Sequence, residues 1–213
     1  RVGILVADVA GHNLTDALVA AMLHQAFLVG VLYELQIHGQ VTPGLFEILN
    51  TRFFRSSSVR KYLTMIYGEI SEDGRFRFIS AGHPSPLIYS REFGRFVEVD
   101  RGRMVSLLPV GMFPSAGDPD RAVHTAPHVV VNAYPVNEVT LMAPGDVMIL
   151  VTDGVSEHER GEEDPYLPGR LEAVVHRTRD GTAAEILDQV RADMVSFAPV
   201  QDDSTLVVVK RRG

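Results

Sequence analysis

The sequence predicts an α+β fold in which antiparallel sheets are covered by helices. The element order carries the prediction: strand, two helices, a series of strands, a helix pair and a final strand. Turn signals between alternating runs outnumber strand–helix–strand crossovers, which favours hairpin-built sheets over a doubly wound parallel sheet. Size agrees, since 213 residues with 46% hydrophobic and 22% charged side chains suffice for one domain with a sizeable core.

The first element is the apolar run Val2-Gly3-Ile4-Leu5-Val6-Ala7, ending at Asp8. A run apolar at nearly every position predicts a strand buried on both faces. Leu14, Ala17, Leu18, Ala21, Met22, Leu28 and Leu32 then recur at helical spacing and predict a long buried helix over residues 14–35. Thr42-Pro43 supplies a cap and a first-turn proline for a second helix ending near Arg55.

Residues 62–70 and 75–80 alternate and are joined by Glu72-Asp73-Gly74, a hairpin signal. Two short strands follow over 86–89 and 96–99, with a turn at Gly94. Residues 112–136 are rich in turn formers, with weak periodicity apart from Val129-Val130-Val131, and read as an inserted loop with room for one strand. Strands over 139–141 and 147–152 flank Ala143-Pro144-Gly145-Asp146. Residues 167–177 predict a short helix, and Thr182-Ala183-Ala184-Glu185 is a capping box ahead of Ile186, Leu187, Val190 and Met194. The last strand covers 205–210.

Three of these strands carry acid at one end. Asp8 closes the first, Asp153-Gly154 follows Val147–Thr152, and Asp202-Asp203 precedes the last. A lone Asp-Gly is ordinarily a turn former. Three together, each abutting an apolar strand, suggest one oxygen-rich site assembled from distant segments, because charge beside a core needs a partner or a metal. Magnesium and manganese take such ligands. A two-metal centre of that kind suits phosphate ester hydrolysis.

Composition limits the alternatives. The net charge of −7 argues against a nucleic-acid surface. Lys210-Arg211-Arg212 reads as a solvated chain end. The chain has no cysteine, so disulfides, thiolate-bound zinc and a thiolate nucleophile are excluded. No apolar run is read as spanning a bilayer and no signal peptide is visible, so a cytoplasmic location without membrane contact is expected. The chain opens abruptly on a strand at Arg1-Val2-Gly3, which reads as a fragment of something longer.

Four blocks resemble a known family. Asp8-Val9-Ala10-Gly11-His12 is similar to the DVSGHG block of the metal-dependent (PPM, type 2C) serine/threonine phosphatases, in their bacterial SpoIIE/RsbU-like branch. Residues 80–87 (SAGHPSPL) resemble AGHPPPL, 152–157 (TDGVSE) resemble TDGVTE, and 202–206 (DDSTL) resemble DDITL. Thr64 falls where the branch has its ATxxY strand. The blocks stand in the right order over nearly the whole chain.

The resemblance implies a sandwich of two antiparallel β-sheets flanked by helices, formed by residues 1–213 as one domain. It implies two Mn2+ or Mg2+ ions, with Asp8 bridging both and the Val9 carbonyl binding one. Asp153 and Asp202 would hold the other. A metal-bridging water would attack phosphoserine or phosphothreonine directly. The implied substrate is a phosphorylated protein in partner switching, such as an anti-sigma-factor antagonist of the STAS type, with an upstream sensor or regulatory domain possible.

This chain also departs from the branch. The acidic GGDxxD block that precedes the first strand is absent from these residues, so the N-terminal strand region reads as truncated. Asn13 stands for the final glycine of the first block. Ala10 stands where other type 2C enzymes place a histidine proposed as general acid. His12 is expected to fix the turn into the long helix, and His83 to hydrogen-bond backbone in a tight inter-strand turn. His124 and His128 have metal-ligand spacing, but Pro127 opposes a helix there. Arg52, Arg55, Arg60 and Lys61 read as a solvated basic face, with recruitment of a phosphorylated partner as the sharper alternative. The insertion at 112–136 could form a substrate-facing flap. The rival to an enzyme is a phosphatase-like module, weak or inactive in catalysis, that binds a protein partner.

Overall fold

The computed structural model describes residues 1–11, 13–56, 61–98, 106–117, 133–139, 143–161 and 164–212. In chain order the elements are β1 (Val2–Val9), α1 (Leu14–His38), α2 (Pro43–Ser56), β2 (Leu63–Ile70), β3 (Phe76–Ala81), β4 (Leu87–Ser90), β5 (Arg95–Phe96), β6 (Asn137–Val139), β7 (Val147–Val151), α3 (Asp153–Ser156), α4 (Gly169–Thr178), α5 (Ala183–Phe197) and β8 (Leu206–Lys210).

Among the described residues the strands form two antiparallel sheets, ordered β1-β2-β3-β6 and β5-β4-β7-β8. Each sheet buries both faces near its middle. Val6, Ile66, Phe76, Phe78, Ile88, Met148 and Leu150 form the layer between the sheets. Leu23 and Phe27 of α1, with Leu45, Phe46 and Leu49 of α2, cover the outer face of the first sheet against Leu63, Met65, Tyr67 and Ile79. Leu171, Val174 and Val175 of α4, with Ile186, Val190 and Met194 of α5, cover the second against Tyr89, Val147, Ile149 and Val151. The result is the expected sandwich of two antiparallel sheets flanked by helices.

β7 shows how the sequence dictates this arrangement. Val147, Ile149 and Val151 point to the helices while Met148 and Leu150 point between the sheets, and all five are buried. An uninterrupted apolar run is what a strand with two dry faces requires. β1 has the same composition, but it is an edge strand of which only Val6 is buried. Its expected burial on both faces is corrected accordingly. β8 is likewise an edge strand, half-buried throughout.

The long first helix is where expected, yet its orientation is not. Leu14, Leu18, Met22, Leu28 and Leu32, chosen as its core face, are all exposed, Leu32 at 69%. The buried stripe is Asp16, Leu23, Phe27 and Glu34. A single helix can press only one stripe against a sheet, and α1 is apolar around its whole circumference. By length and composition it could cross a membrane, with a mean hydropathy of 1.7, contrary to the expectation of no such run. In this fold it packs on β1 and α2.

Smaller departures are local. β5 is two residues long, and β6 lies at 137–139, pairing with β3. The four-residue helix α3 had no signal in the sequence. The α5 capping box is formed as expected: the Glu185 N–H donates to Thr182 Oγ1 at 3.2 Å and the Thr182 N–H donates to Glu185 Oε2 at 2.6 Å. Within the expected insertion at 112–136, residues 118–132 lie outside the described residues, as do His124 and His128. Its described flanks pack on α2. Asn50 donates to the Phe113 carbonyl at 3.0 Å and to Ser115 Oγ at 2.8 Å, and Tyr134 is buried against Phe46.

Candidate metal centre

Asp8 is placed by β1, whose register with β2 sets it opposite Thr64. The chain then turns sharply into α1. Gly11 adopts φ +114°, and a side chain there would collide with the Asp16 carboxylate. That carboxylate is buried. It accepts the Asn13 N–H at 2.9 Å and pairs with Lys61 Nζ at 2.6 Å. The Lys61 charge and these hydrogen bonds hold the Asp16 carboxyl below the usual carboxylate range. Asn13 itself is extended, at φ −91°, so the left-handed residue of the turn is Gly11. His12 and Arg60 lie outside the described residues. Lys61 serves as a brace for this turn, while Arg52 and Arg55 lie on α2.

Asp153 and Asp202 are brought together by backbone stitching. The Thr152 N–H donates to the Thr205 carbonyl at 3.2 Å, and the Thr205 N–H donates to Thr152 Oγ1 at 2.9 Å. Ser204 Oγ donates to the Gly154 carbonyl at 3.1 Å. Gly154 has to be glycine because the Asp203 carbonyl occupies the place of a Cβ. Asp153 opens α3, and its Oδ1 accepts the Gly154 N–H at 2.8 Å. Asp202 Oδ1 accepts the Asp203 N–H in the same way at 2.8 Å.

Electrostatics joins the three acids. The Asp8 carboxyl is pushed up to about 6, first by burial, then by a hydrogen bond to Asp153 and by the charges of Asp153 and Asp202. The Val9 N–H opposes the rise. Among the described residues none of the three carboxylates has an ion-pair partner. Like charges held together without a cation are unfavourable, and this all-oxygen set has the donor chemistry of Mg2+ or Mn2+. Among the described residues no three His, Asp or Glu side chains close around one point, so the carboxylates would draw inward around an ion. The donors fit the expected ions in kind.

Beside Asp153 lies a cleft of about 750 Å³, lined by Thr64, His83, Ser106, Ser156 and Glu157 among others. His83 is buried. Its Nδ1 lies 3.1 Å from Thr64 Oγ1, a side-chain partner that the sequence did not signal. Burial pushes the imidazole down to about 4, against the opposing effects of the Asp153 charge and the Val151 carbonyl. Nε2 has no well-formed hydrogen-bond partner. Sequence reasoning missed both this link and the Lys61–Asp16 brace. Only the Asn13…Asp16 spacing hinted at the second.

Residues 1–212 match the family model described as Stage II sporulation protein E (SpoIIE). The chain belongs to the SpoIIE family. One curated relative, the phosphoserine phosphatase RsbP of Bacillus subtilis (strain 168), is 32% identical over 97 residues, covering 41% of this chain and 22% of RsbP. The chain thus spans less than a quarter of that relative's length. Among solved structures, the RsbU and RsbW domains of Rv1364c from Mycobacterium tuberculosis align with a TM-score of 0.68 at 23% identity, covering 99% of this chain and 51% of that one. The SiaA-PP2C domain of Pseudomonas aeruginosa aligns at 0.68 and 18% identity, covering 98% and 75%. The PP2C domain of SpoIIE from Bacillus subtilis, solved with a fragment of its regulatory domain, aligns at 0.65 and 18% identity, covering 99% and 55%. The fold of this SpoIIE-family chain is therefore the PP2C (PPM) phosphatase fold.

Proposed function

We propose that this domain is a metal-dependent protein serine/threonine phosphatase that hydrolyses phosphoserine or phosphothreonine with water as the nucleophile. The observation that supports the reading is that Asp153 and Asp202, from two distant segments, act electrostatically on Asp8 at the end of β1. Asp8 would bridge two Mn2+ or Mg2+ ions, the Val9 carbonyl would bind one, and Asp153 and Asp202 would hold the other. When bound, such ions supply an acidified water and neutralise charge on the phosphoryl group.

The chain's own residues supply the frame. The braced Gly11 turn fixes Asp8, and the 152–154 and 202–205 loops hold the other two acids in register. The cleft beside Asp153 gives a phosphorylated segment a place to lie. Ser106, Leu107, Leu108 and Pro109 form part of its wall. The similarity to RsbP, named a phosphoserine phosphatase, and to a structure containing RsbU and RsbW domains supports a partner-switching substrate. A phosphorylated STAS-type anti-sigma-factor antagonist in the cytoplasm is the specific candidate, with a regulatory domain elsewhere in the full-length protein.

The test is phosphate release from a phosphoserine STAS protein by the full-length protein, with and without Mn2+. Turnover should need the metal and fall at least about 100-fold in Asp8→Asn and Asp153→Asn. Metal-independent turnover, or unchanged turnover in both variants, would overturn the mechanism. An inert wild type that still binds the phosphoprotein tightly would establish the binding-module reading in its place.

A further inference from the structure

We propose that the outward face of α1 is an interface between two copies of this chain, which pair along it as a parallel two-stranded coiled coil. The inference does not depend on the phosphatase reading.

The fold leaves a heptad seam free. Leu14, Leu18, Ala21, Gln25, Leu28, Leu32 and Leu35 follow one another at alternating spacings of four and three residues. That alternation is the seam of a coiled coil, with Leu18, Gln25 and Leu32 at the a positions and the others at d. All of these side chains are exposed. The buried residues of α1 are Asp16, Leu23, Phe27 and Glu34, and they fall at c and f, opposite the seam. α1 therefore meets its own sheet with one side and presents an unbroken seam with the other. Each copy keeps its own core, so a seam leucine contributes to pairing and little to the stability of the single fold.

The character of the face selects its occupant. A two-fold interface brings one patch against itself, and a stripe of leucines is complementary to its own copy. The seam leucines, with Met22 and Val29 at its flank, stand in solvent. At roughly 100 Å² each, these side chains offer about 700 Å² per copy, close to the roughly 800 Å² that each partner buries in a stable complex. Charge lets like meet like. The chain carries a net charge of −7, yet no Asp, Glu, Lys or Arg stands at an a, d, e or g position of α1. The same lack of Lys and Arg opposes docking on an anionic membrane, which surface helices reach through a basic polar face.

Gln25 sets the orientation. One polar residue at an a position fixes register at a cost in stability. In a parallel pair Gln25 meets its own mate, and the two side-chain amides satisfy each other. In an antiparallel pair a positions face d positions, so Gln25 would lie against Ala21 or Leu28 with its amide unpaired, which is costly. α1 follows the turn after Asp8, so the parallel pair sets the Asp8 of both copies at the same end of the dimer.

The experiment uses the full-length protein. These 213 residues contain no cysteine, so single thiols report position. Under mild oxidation Gln25→Cys should join two copies. Leu18→Cys should link to itself, and in a mixed sample it should not link to Leu32→Cys. Val195→Cys, exposed on α5 over the other sheet, should stay unlinked. Adding Leu18→Glu and Leu32→Glu sets like charges across the seam and should slow the Gln25→Cys link at least about 100-fold, with the melting temperature of the dilute protein unchanged. A Gln25→Cys link no faster than that of Val195→Cys, or one that survives both glutamates, would overturn the proposal, and a link between Leu18→Cys and Leu32→Cys would overturn the parallel arrangement. A protein that sediments as a monomer would overturn it too. Shielding of the Gln25→Cys thiol from maleimide in that monomer would give the face to another segment of the full-length chain, and vesicle binding lost in the glutamate variant would give it to a membrane.

Discussion

Asp8 and Asp16 flank the same turn, and their surroundings push their carboxyl groups in opposite directions. Asp16 is held low by Lys61 and the Asn13 N–H, so its ionised form stabilises the fold. That contribution is complete above the unfolded value near 3.8 and fades as pH falls through the lower folded value. Asp8 is raised to about 6, so ionising it costs stability. Its favourable contribution is present below the unfolded value and is lost as pH rises through about 6. Thermal melts in EDTA should separate the two. Asp16→Asn should melt below wild type at pH 7, with the gap closing under acid. Asp8→Asn should match wild type near pH 4 and exceed it at pH 7, by about 1 kcal/mol once solvent screening of this half-exposed group is allowed for. Gaps that do not change with pH would show that neither charge matters to the fold.

At the scale of elements, α1 shows what a sequence can and cannot say. Its existence was plain from helical spacing, yet Leu14, Leu18 and Leu32 were assigned to the wrong side. Hydrophobic spacing identifies a face only when the opposite face is polar, and α1 offers no such contrast. The same limit applies to β1, whose apolar run matches that of β7, although one is an edge strand and the other is buried. Neighbours in the sheet decide burial, and they come from distant sequence. Leu23→Ala, on the stripe against the sheet, should cost about 2–5 kcal/mol in urea denaturation. Leu32→Ala, on the outward side of the same helix, should stay within about 0.5 kcal/mol. Equal losses would mean that the outward side is covered.

At the scale of the whole molecule, the candidate site exists only because the two sheets end together. Asp8, Asp153 and Asp202 were legible in the sequence, because an acid at the end of an apolar strand is a local pattern. The devices that align them were not legible, being long-range and made largely of backbone. Thr152 and Thr205 stand 53 residues apart in sequence, and their paired bonds align the loops bearing Asp153 and Asp202. Thr152 is buried, so replacing its hydroxyl by a methyl in Thr152→Val keeps the shape and leaves the Thr205 N–H without its acceptor. Such a loss costs about 1–3 kcal/mol. The variant should melt several degrees below wild type in EDTA and bind Mn2+ more weakly, because part of the binding energy must then close the loops. Saturating Mn2+ should narrow the melting gap only in part, since the ion stabilises the folded state according to its affinity. A Thr152→Val protein with normal melting and normal Mn2+ affinity would show that the two acids are aligned by the strands alone.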